Sequence, residues 1–250
     1  MYFSLLRYTW NWISMPPANS VNIDQSGIHP TQPVLFALGD VSRGAMELYP
    51  AVWGELEKLI MGEESIRLDA LNKLAEMDVA RFSPLVIFLL TTKLTDVSLL
   101  VRSRTVELIS SILSPDKDGN LTPEDVLECL KSCLAQMRTR QVYAVLQVLH
   151  TRPDLLLQAS RLLNYCPYAG NHLTDVASSR QAPMEIRRMA ILLIGEVGYL
   201  DALPALERLL SRLESRLNGQ HAMPFAPQVG AEDTSLIPEI NQAMTLLRTP

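Results

Sequence analysis

Aromatic residues and glycine are scarce in this sequence of 250 residues. Aromatic side chains make up 6% of the chain and only 11 residues are glycine, whereas leucine is abundant. This balance favours helices over a β-sandwich. The three cysteines are too few for a disulfide framework, and the 48% of hydrophobic residues is ample for a core.

Signals that direct a chain into a membrane are also lacking. There is no cationic leader followed by an apolar segment and a small-residue cleavage site, and no apolar run is long enough to cross a bilayer. We therefore expect a cytoplasmic protein without stable membrane insertion. The net charge of −5 opposes approach to phosphate backbones, so we expect no nucleic-acid partner.

Catalytic signatures are missing as well. The four histidines form neither an HxH nor an HExxH spacing, and the sequence has no nucleophile elbow, Walker loop or dinucleotide fingerprint. We therefore predict that the chain is not an enzyme and has no catalytic residue, metal ligand or cofactor.

The clearest pattern is the run from 183 to 218, which predicts two amphipathic helices joined by a turn at 198–201. Apolar residues recur at helical spacing in each half: Ile186, Ala190, Ile191, Ile194 and Val197, then Leu203, Leu206, Leu209, Leu210 and Leu213. A helix pair with an apolar face on each helix cannot cover both faces alone. It must stack on similar units.

Similar units occur elsewhere in the chain. The segments 66–74 and 101–109 match 186–194: each has a β-branched residue, then arginine, with apolar residues at shared positions. Two copies also share a small residue followed fourteen positions later by a proline: Ala70 precedes Pro84, and Ala190 precedes Pro204. Proline is tolerated in the first turn of a helix, so each proline can begin the second helix of its pair. Matched positions at 66, 101, 140, 186 and 239 are separated by 35, 39, 46 and 53 residues, and we place the later insertions in loops between helices.

This pattern resembles the HEAT repeat, and the copy at 186–210 is most similar to the HEAT-like repeats of phycobilisome bilin lyases. The residues that carry the resemblance are Ile186, Arg187, Ala190, Ile194, Gly195, Gly198, Ala202, Pro204, Leu206 and Leu209. Asp96 precedes the arginine of its copy as in that family, where such residues link neighbouring repeats. The clear matches cover about half the chain. They imply an all-α fold, an α-solenoid of about five helix pairs.

Two regions follow from this organisation. Residues 1–33 hold an aromatic start and a linker rich in Pro, Ser, Asn and Gln, which we predict to be a cap or docking tail. Residues 34–250 form the predicted repeat domain. In it, the apolar run after Pro84 predicts a helix buried on nearly all sides, and the weakly patterned segment 165–182 an extra turn or short helix.

Two local features admit more than one reading. Residues Ser114–Asp125 fit an EF-hand loop in part, with Asp116, Asp118 and Gly119 in place, but they equally fit a turn in which Thr122 is the N-cap and Pro123 the first helical residue. Cys129 and Cys133 lie on one helical face. They could hold a metal with a nearby histidine, although small core residues are the commoner role.

The predicted function is a non-catalytic scaffold that binds another protein. In HEAT-like pairs the second helices usually line the concave surface, and the outward polar positions there are Glu57, Lys93, Lys131, Arg208 and Arg212. The resemblance also implies an alternative, a subunit of a bilin lyase-like enzyme that acts on a phycobiliprotein. A third possibility is a nucleic-acid binder of the kind seen among HEAT-like DNA glycosylases.

Overall fold

The structure, a computed structural model, describes residues 49–116, 118–222 and 231–249. The predicted N-terminal segment 1–33 lies outside them. Every regular element in this part of the chain is a helix, and no strand occurs in it. None of these helices is long and apolar enough to span a membrane.

Twelve α-helices can be followed through the described residues. In chain order they are α1 Pro50–Met61, α2 Glu64–Glu76, α3 Pro84–Thr92, α4 Leu99–Ile112, α5 Glu124–Ala135, α6 Thr139–Thr151, α7 Leu156–Leu163, α8 Ala169–Ser178, α9 Met184–Val197, α10 Leu203–Ala222, α11 Ala231–Thr234 and α12 Ile237–Arg248. Short 3₁₀ turns lie at Val79–Arg81, Lys93–Thr95, Pro153–Leu155 and Leu200–Ala202.

The turn predicted at 198–201 is present, and it is formed by backbone interactions between residues close in sequence. Helix α9 ends at Val197, and Gly198 adopts a φ of 84°, a left-handed conformation that glycine enters without steric cost. The backbone N–H groups of Gly198 and Tyr199 both donate to the Ile194 carbonyl, at 3.1 and 3.2 Å. This closes the helix and sends the chain into α10.

Five helices pack in chain order. Helix α2 contacts α4, α4 contacts α6, α6 contacts α9 and α9 contacts α12. We call these five the first-helix row. The matched sequence positions fall one on each of them: Ile66, Val101, Arg140, Ile186 and Glu239. The remaining long helices pack beside this row, α3 against α5, and α8 against α6, α9 and α10.

An ion pair joins the first two helices of the row. Arg67 on α2 donates to the Asp96 carboxylate at 2.7 Å, and Asp96 also accepts the Ser98 backbone N–H at 2.9 Å. Ser98 in turn caps α4 by accepting the Val101 N–H. Asp96 therefore links the start of one helix to its neighbour.

Arginines at equivalent positions on α4 and α9 also contact neighbouring helices. Arg102 on α4 donates to the Gln147 side chain on α6 at 2.6 Å. Arg187 on α9, which is buried, donates to the Ala177 carbonyl at 2.8 Å and forms an ion pair with Asp233. A planar guanidinium with several donors suits such contacts, because it can bond two acceptors at once.

Replacing Asp96 with asparagine should cost about 1–2 kcal/mol of unfolding free energy, since its carboxylate is only 6% exposed and supports two hydrogen bonds. Asp69→Asn is the matched control: its carboxylate pairs with Lys73 on the same helix α2 but is 58% exposed. Urea unfolding of both variants should show a lowered midpoint for Asp96→Asn alone. Equal midpoints would contradict a structural role for the link.

The prediction of an extra turn or short helix within residues 165–182 is confirmed, whereas the broader prediction that the later insertions lie in loops is wrong for this segment. That segment contains helix α8, which buries Ala169, Gly170, Leu173, Val176 and Ala177. Small residues suffice there because neighbouring chain passes very close: a Cβ on Gly170 would lie 2.3 Å from a carboxylate oxygen of Asp201. The repeat spacing is thus lengthened by an extra helix.

Candidate interaction surfaces

Four of the five residues predicted to face a partner are exposed. Glu57 lies on α1, Lys131 on α5, and Arg208 and Arg212 on α10. They occupy three helices, so the structure does not gather them into one compact site.

Lys93 is situated differently. It lies in the 3₁₀ turn after α3 with only 15% of its side chain exposed, and its ammonium is 4.0 Å from the Asp96 carboxylate. Burial lowers the pKa of Lys93, although Asp96 opposes that effect. Lys93 therefore contributes to the ion-pair link between α2 and α4.

Lys131 lies beside one exposed aromatic ring, and a second exposed ring lies on α3, the helix that packs against α5. Its ammonium lies 5.9 Å from the centre of the Tyr165 ring, within the range of a cation–π interaction. Tyr165 is 37% exposed and Phe88, on the adjacent helix α3, is 41% exposed. We call Phe88, Lys131 and Tyr165 the aromatic surface.

The exposure of Phe88 corrects the prediction that the helix after Pro84 is buried on nearly all sides. Val86, Ile87 and Leu90 are fully buried, whereas Phe88 projects from the opposite side of the same helix. At 100° per residue, Phe88 is on the far side from those three. A helical projection of α3 could therefore have identified it.

A second surface is a groove of about 700 Å³ at the ends of α2, α4 and α7. Arg81 lies at its base with 7% exposure, and it donates to the carbonyls of Ser111 and Ser114 and to the Thr122 hydroxyl. Asp78 pairs with Arg81 at 3.4 Å. Burial raises the pKa of the Asp78 carboxyl, and the charge of Arg81 acts in the opposite direction.

The loop that resembled an EF-hand is folded as a turn. One Asp116 carboxylate oxygen accepts the backbone N–H groups of Asp118 and Asn120, at 2.9 and 2.7 Å. These bonds, the one from Asn120 foremost, lower the pKa of Asp116. Asp125 lies in the first turn of α5. In the described part of the chain, no group of three or more His, Cys, Asp or Glu side chains could hold a metal.

The expectation that Thr122 caps the following helix was wrong. Helix α5 begins at Glu124 with Pro123 at the N-cap position. The Thr122 hydroxyl is buried instead, where it donates to the Ile112 carbonyl at 2.7 Å and accepts from Arg81 at 2.8 Å. The side chain therefore ties the end of α4 to Arg81, which is a use that local sequence cannot reveal.

Cys129 and Cys133 lie four residues apart on α5, and both are half-buried. The Cys129 thiol donates a hydrogen bond to the Pro84 carbonyl oxygen at 3.5 Å. The neighbouring Cys129 side chain lowers the pKa of Cys133, burial opposes this effect, and Thr91 adds to it. Cys133 and burial both raise the pKa of Cys129.

Comparison with known proteins gave no relative for this chain. No protein-family model, no curated protein and no solved structure matches it.

Proposed function

We propose that this chain is a HEAT-like α-solenoid that acts as a non-catalytic adaptor and binds another protein through its second helices. The observation that supports this most directly is the chain-ordered packing of the first-helix row. Repeating units that contact only their neighbours build extended surfaces, and such surfaces are typically used to bind other macromolecules.

The aromatic surface, which lies on α3, α5 and the turn after α7, is the part of the chain best suited to a partner. Buried interface contacts are enriched in aromatic residues, which bring large area at low entropic cost. Lys131, held over the Tyr165 ring, adds a positioned charge. Glu57, Arg208 and Arg212 extend the polar part of the proposed surface along α1 and α10.

The proposal can be tested in two stages. Tagged wild-type chain is used to recover binding proteins from extracts of the source organism, and the recovered protein is then produced pure for affinity measurements. Phe88→Ala combined with Lys131→Glu should weaken its binding by at least about tenfold, which corresponds to 1.4 kcal/mol. Glu196→Lys is the matched control, because Glu196 is an exposed charge on α9 in the first-helix row.

Two results would overturn the proposal. The first is an unchanged affinity in the Phe88/Lys131 variant together with loss of binding in Glu196→Lys, which would place the partner on the other row. The second is turnover of a small molecule by the purified chain, which would make it an enzyme.

A further inference from the structure

Three arginines from separate segments converge on one carboxylate in the last part of the described chain. Arg180 lies in the turn before α9, Arg187 on α9 and Arg216 on α10. All three form ion pairs with the carboxylate of Asp233, which lies on α11. We call the three arginines the arginine cluster. Three guanidinium groups and one carboxylate leave a net charge of +2 here, whereas the whole chain carries −5.

The link at Asp96 provides a comparison within the chain. Its two cations, Arg67 and Lys93, have side chains that are only 13% and 15% exposed, so both are used within the fold. At Asp233, Arg187 is 4% exposed and also donates to a backbone carbonyl at 2.8 Å. The other two arginines of the cluster are 58% and 43% exposed. Two cations at Asp233 are therefore open to solvent, beside a carboxylate that a buried arginine already bonds.

Arg180 and Arg216 leave their hydrogen-bond donors largely unused. Nε of Arg180 and Nη1 of Arg216 each lie 3.6 Å from the same oxygen of Asp233, which is longer than an ordinary N–H···O hydrogen bond. No hydrogen bond from either guanidinium to another residue of the described chain is present. The two nitrogens are at most about 7.2 Å apart, because each is 3.6 Å from that oxygen. Two charge-assisted bonds of about 2.8 Å and one phosphoryl group can span this separation.

The charge of the arginine cluster favours an oxyanion with two negative charges. Guanidinium groups bind carboxylate and phosphate oxygens in pairs, through charge-assisted hydrogen bonds. A single carboxylate would leave the cluster and Asp233 with a positive charge. A phosphate monoester carries about −1.5 to −2 at pH 7 and offers three acceptor oxygens. It therefore balances the charge of +2 and can bond both exposed arginines.

We propose that Arg180 and Arg216 bind a phosphate monoester. Asp233 orients the two guanidinium groups, and Arg187 fixes Asp233 from the buried side. Binding is non-covalent, so no bond forms or breaks. The phosphoryl group can belong to a small molecule or to a phosphorylated side chain of a protein, because the arginines contact only its oxygens. The site is separate from the aromatic surface and does not depend on the adaptor function.

The test titrates the full chain with inorganic phosphate and, separately, with a phosphoserine peptide, using isothermal titration calorimetry at low salt. Both probes should bind the wild type, and added salt should weaken binding to the exposed arginines. Arg180→Gln and Arg216→Gln should each weaken binding of both probes by at least about tenfold, because each removes charge-assisted bonds. Tighter binding of the peptide would identify a phosphorylated protein as the source, and equal binding a small phosphate.

Arg152→Gln is the matched control. Arg152 is 44% exposed, much as Arg216 is, but it pairs closely with the carboxylates of Asp154 and Glu107. This variant should bind phosphate as the wild type does, and circular dichroism should confirm that all three variants keep their helices. No binding by the wild type, unchanged affinity in both cluster variants or an equal loss in Arg152→Gln would overturn the site. Duplex DNA or the unphosphorylated peptide bound as tightly as the phosphopeptide would overturn the choice of ligand.

Discussion

Replacing Arg81 with methionine should lower the free energy of unfolding by about 3 kcal/mol, because a buried hydrogen-bonded cation is removed. The guanidinium of Arg81 donates to the Ser111 and Ser114 carbonyls at 2.7 and 3.0 Å and to the Thr122 hydroxyl at 2.8 Å. Carbonyls at the end of a helix have no intrahelical partner. A cation there also interacts favourably with the helix dipole of α4.

Methionine keeps much of the volume of arginine but supplies no hydrogen-bond donor. The decrease in the free energy of unfolding therefore reports on the lost hydrogen bonds. Arg161→Met is the matched control: Arg161 lines the same groove, but it is exposed and makes a single bond, to the Ser114 hydroxyl at 2.9 Å. Urea unfolding followed by circular dichroism should show a large shift for Arg81→Met and little for Arg161→Met. Equal shifts would assign the effect to groove charge alone.

The cost of the Arg81 change should also depend on pH. Burial already raises the pKa of Asp78 above its ordinary value of 3.8, and Arg81 limits that rise. Without Arg81 the folded-state pKa rises further, so the carboxylate destabilises the fold above pH 3.8 and its protonation relieves the effect below it. The difference between wild type and variant should therefore be larger at pH 7 than at pH 4.

Helix positions were predictable where an apolar stripe coincided with a proline or glycine that marks a helix end. Pro84 begins α3, and Gly198 ends α9 in a left-handed conformation. Both are local effects, since proline is tolerated in the first turn and glycine at the C-terminal end. The helix over 169–178 gave no comparable signal, because alanine and glycine supply half of its buried residues.

The interaction surfaces were less predictable, because they depend on contacts between distant segments. Lys131 was identified as exposed, but its aromatic partner Tyr165 comes from a segment 34 positions further along the chain. Arg81 was not identified from the sequence, and only the position of α4 beside it makes it a buried donor. Sequence periodicity shows which side of a helix is apolar but not which distant side chain meets it.

Changing Gly195 to alanine should destabilise the protein by about 1–3 kcal/mol, the usual cost of overpacking a core. Helix α9 crosses α12 at this residue: a Cβ there would lie 2.9 Å from the Ala243 Cα and 3.0 Å from its Cβ. Intrinsic helix propensity favours alanine over glycine by roughly 1 kcal/mol, so propensity alone predicts the opposite sign.

Gly54→Ala separates the two contributions. Gly54 lies within α1, and a Cβ there would have no atom within 4 Å. That substitution should raise the free energy of unfolding by roughly 0.5–1 kcal/mol, since it gains propensity without a clash. The midpoints of thermal and urea unfolding should therefore fall for Gly195→Ala and rise for Gly54→Ala. If both variants are stabilised, the α9–α12 contact is looser than described, and the last contact of the proposed solenoid loses its support.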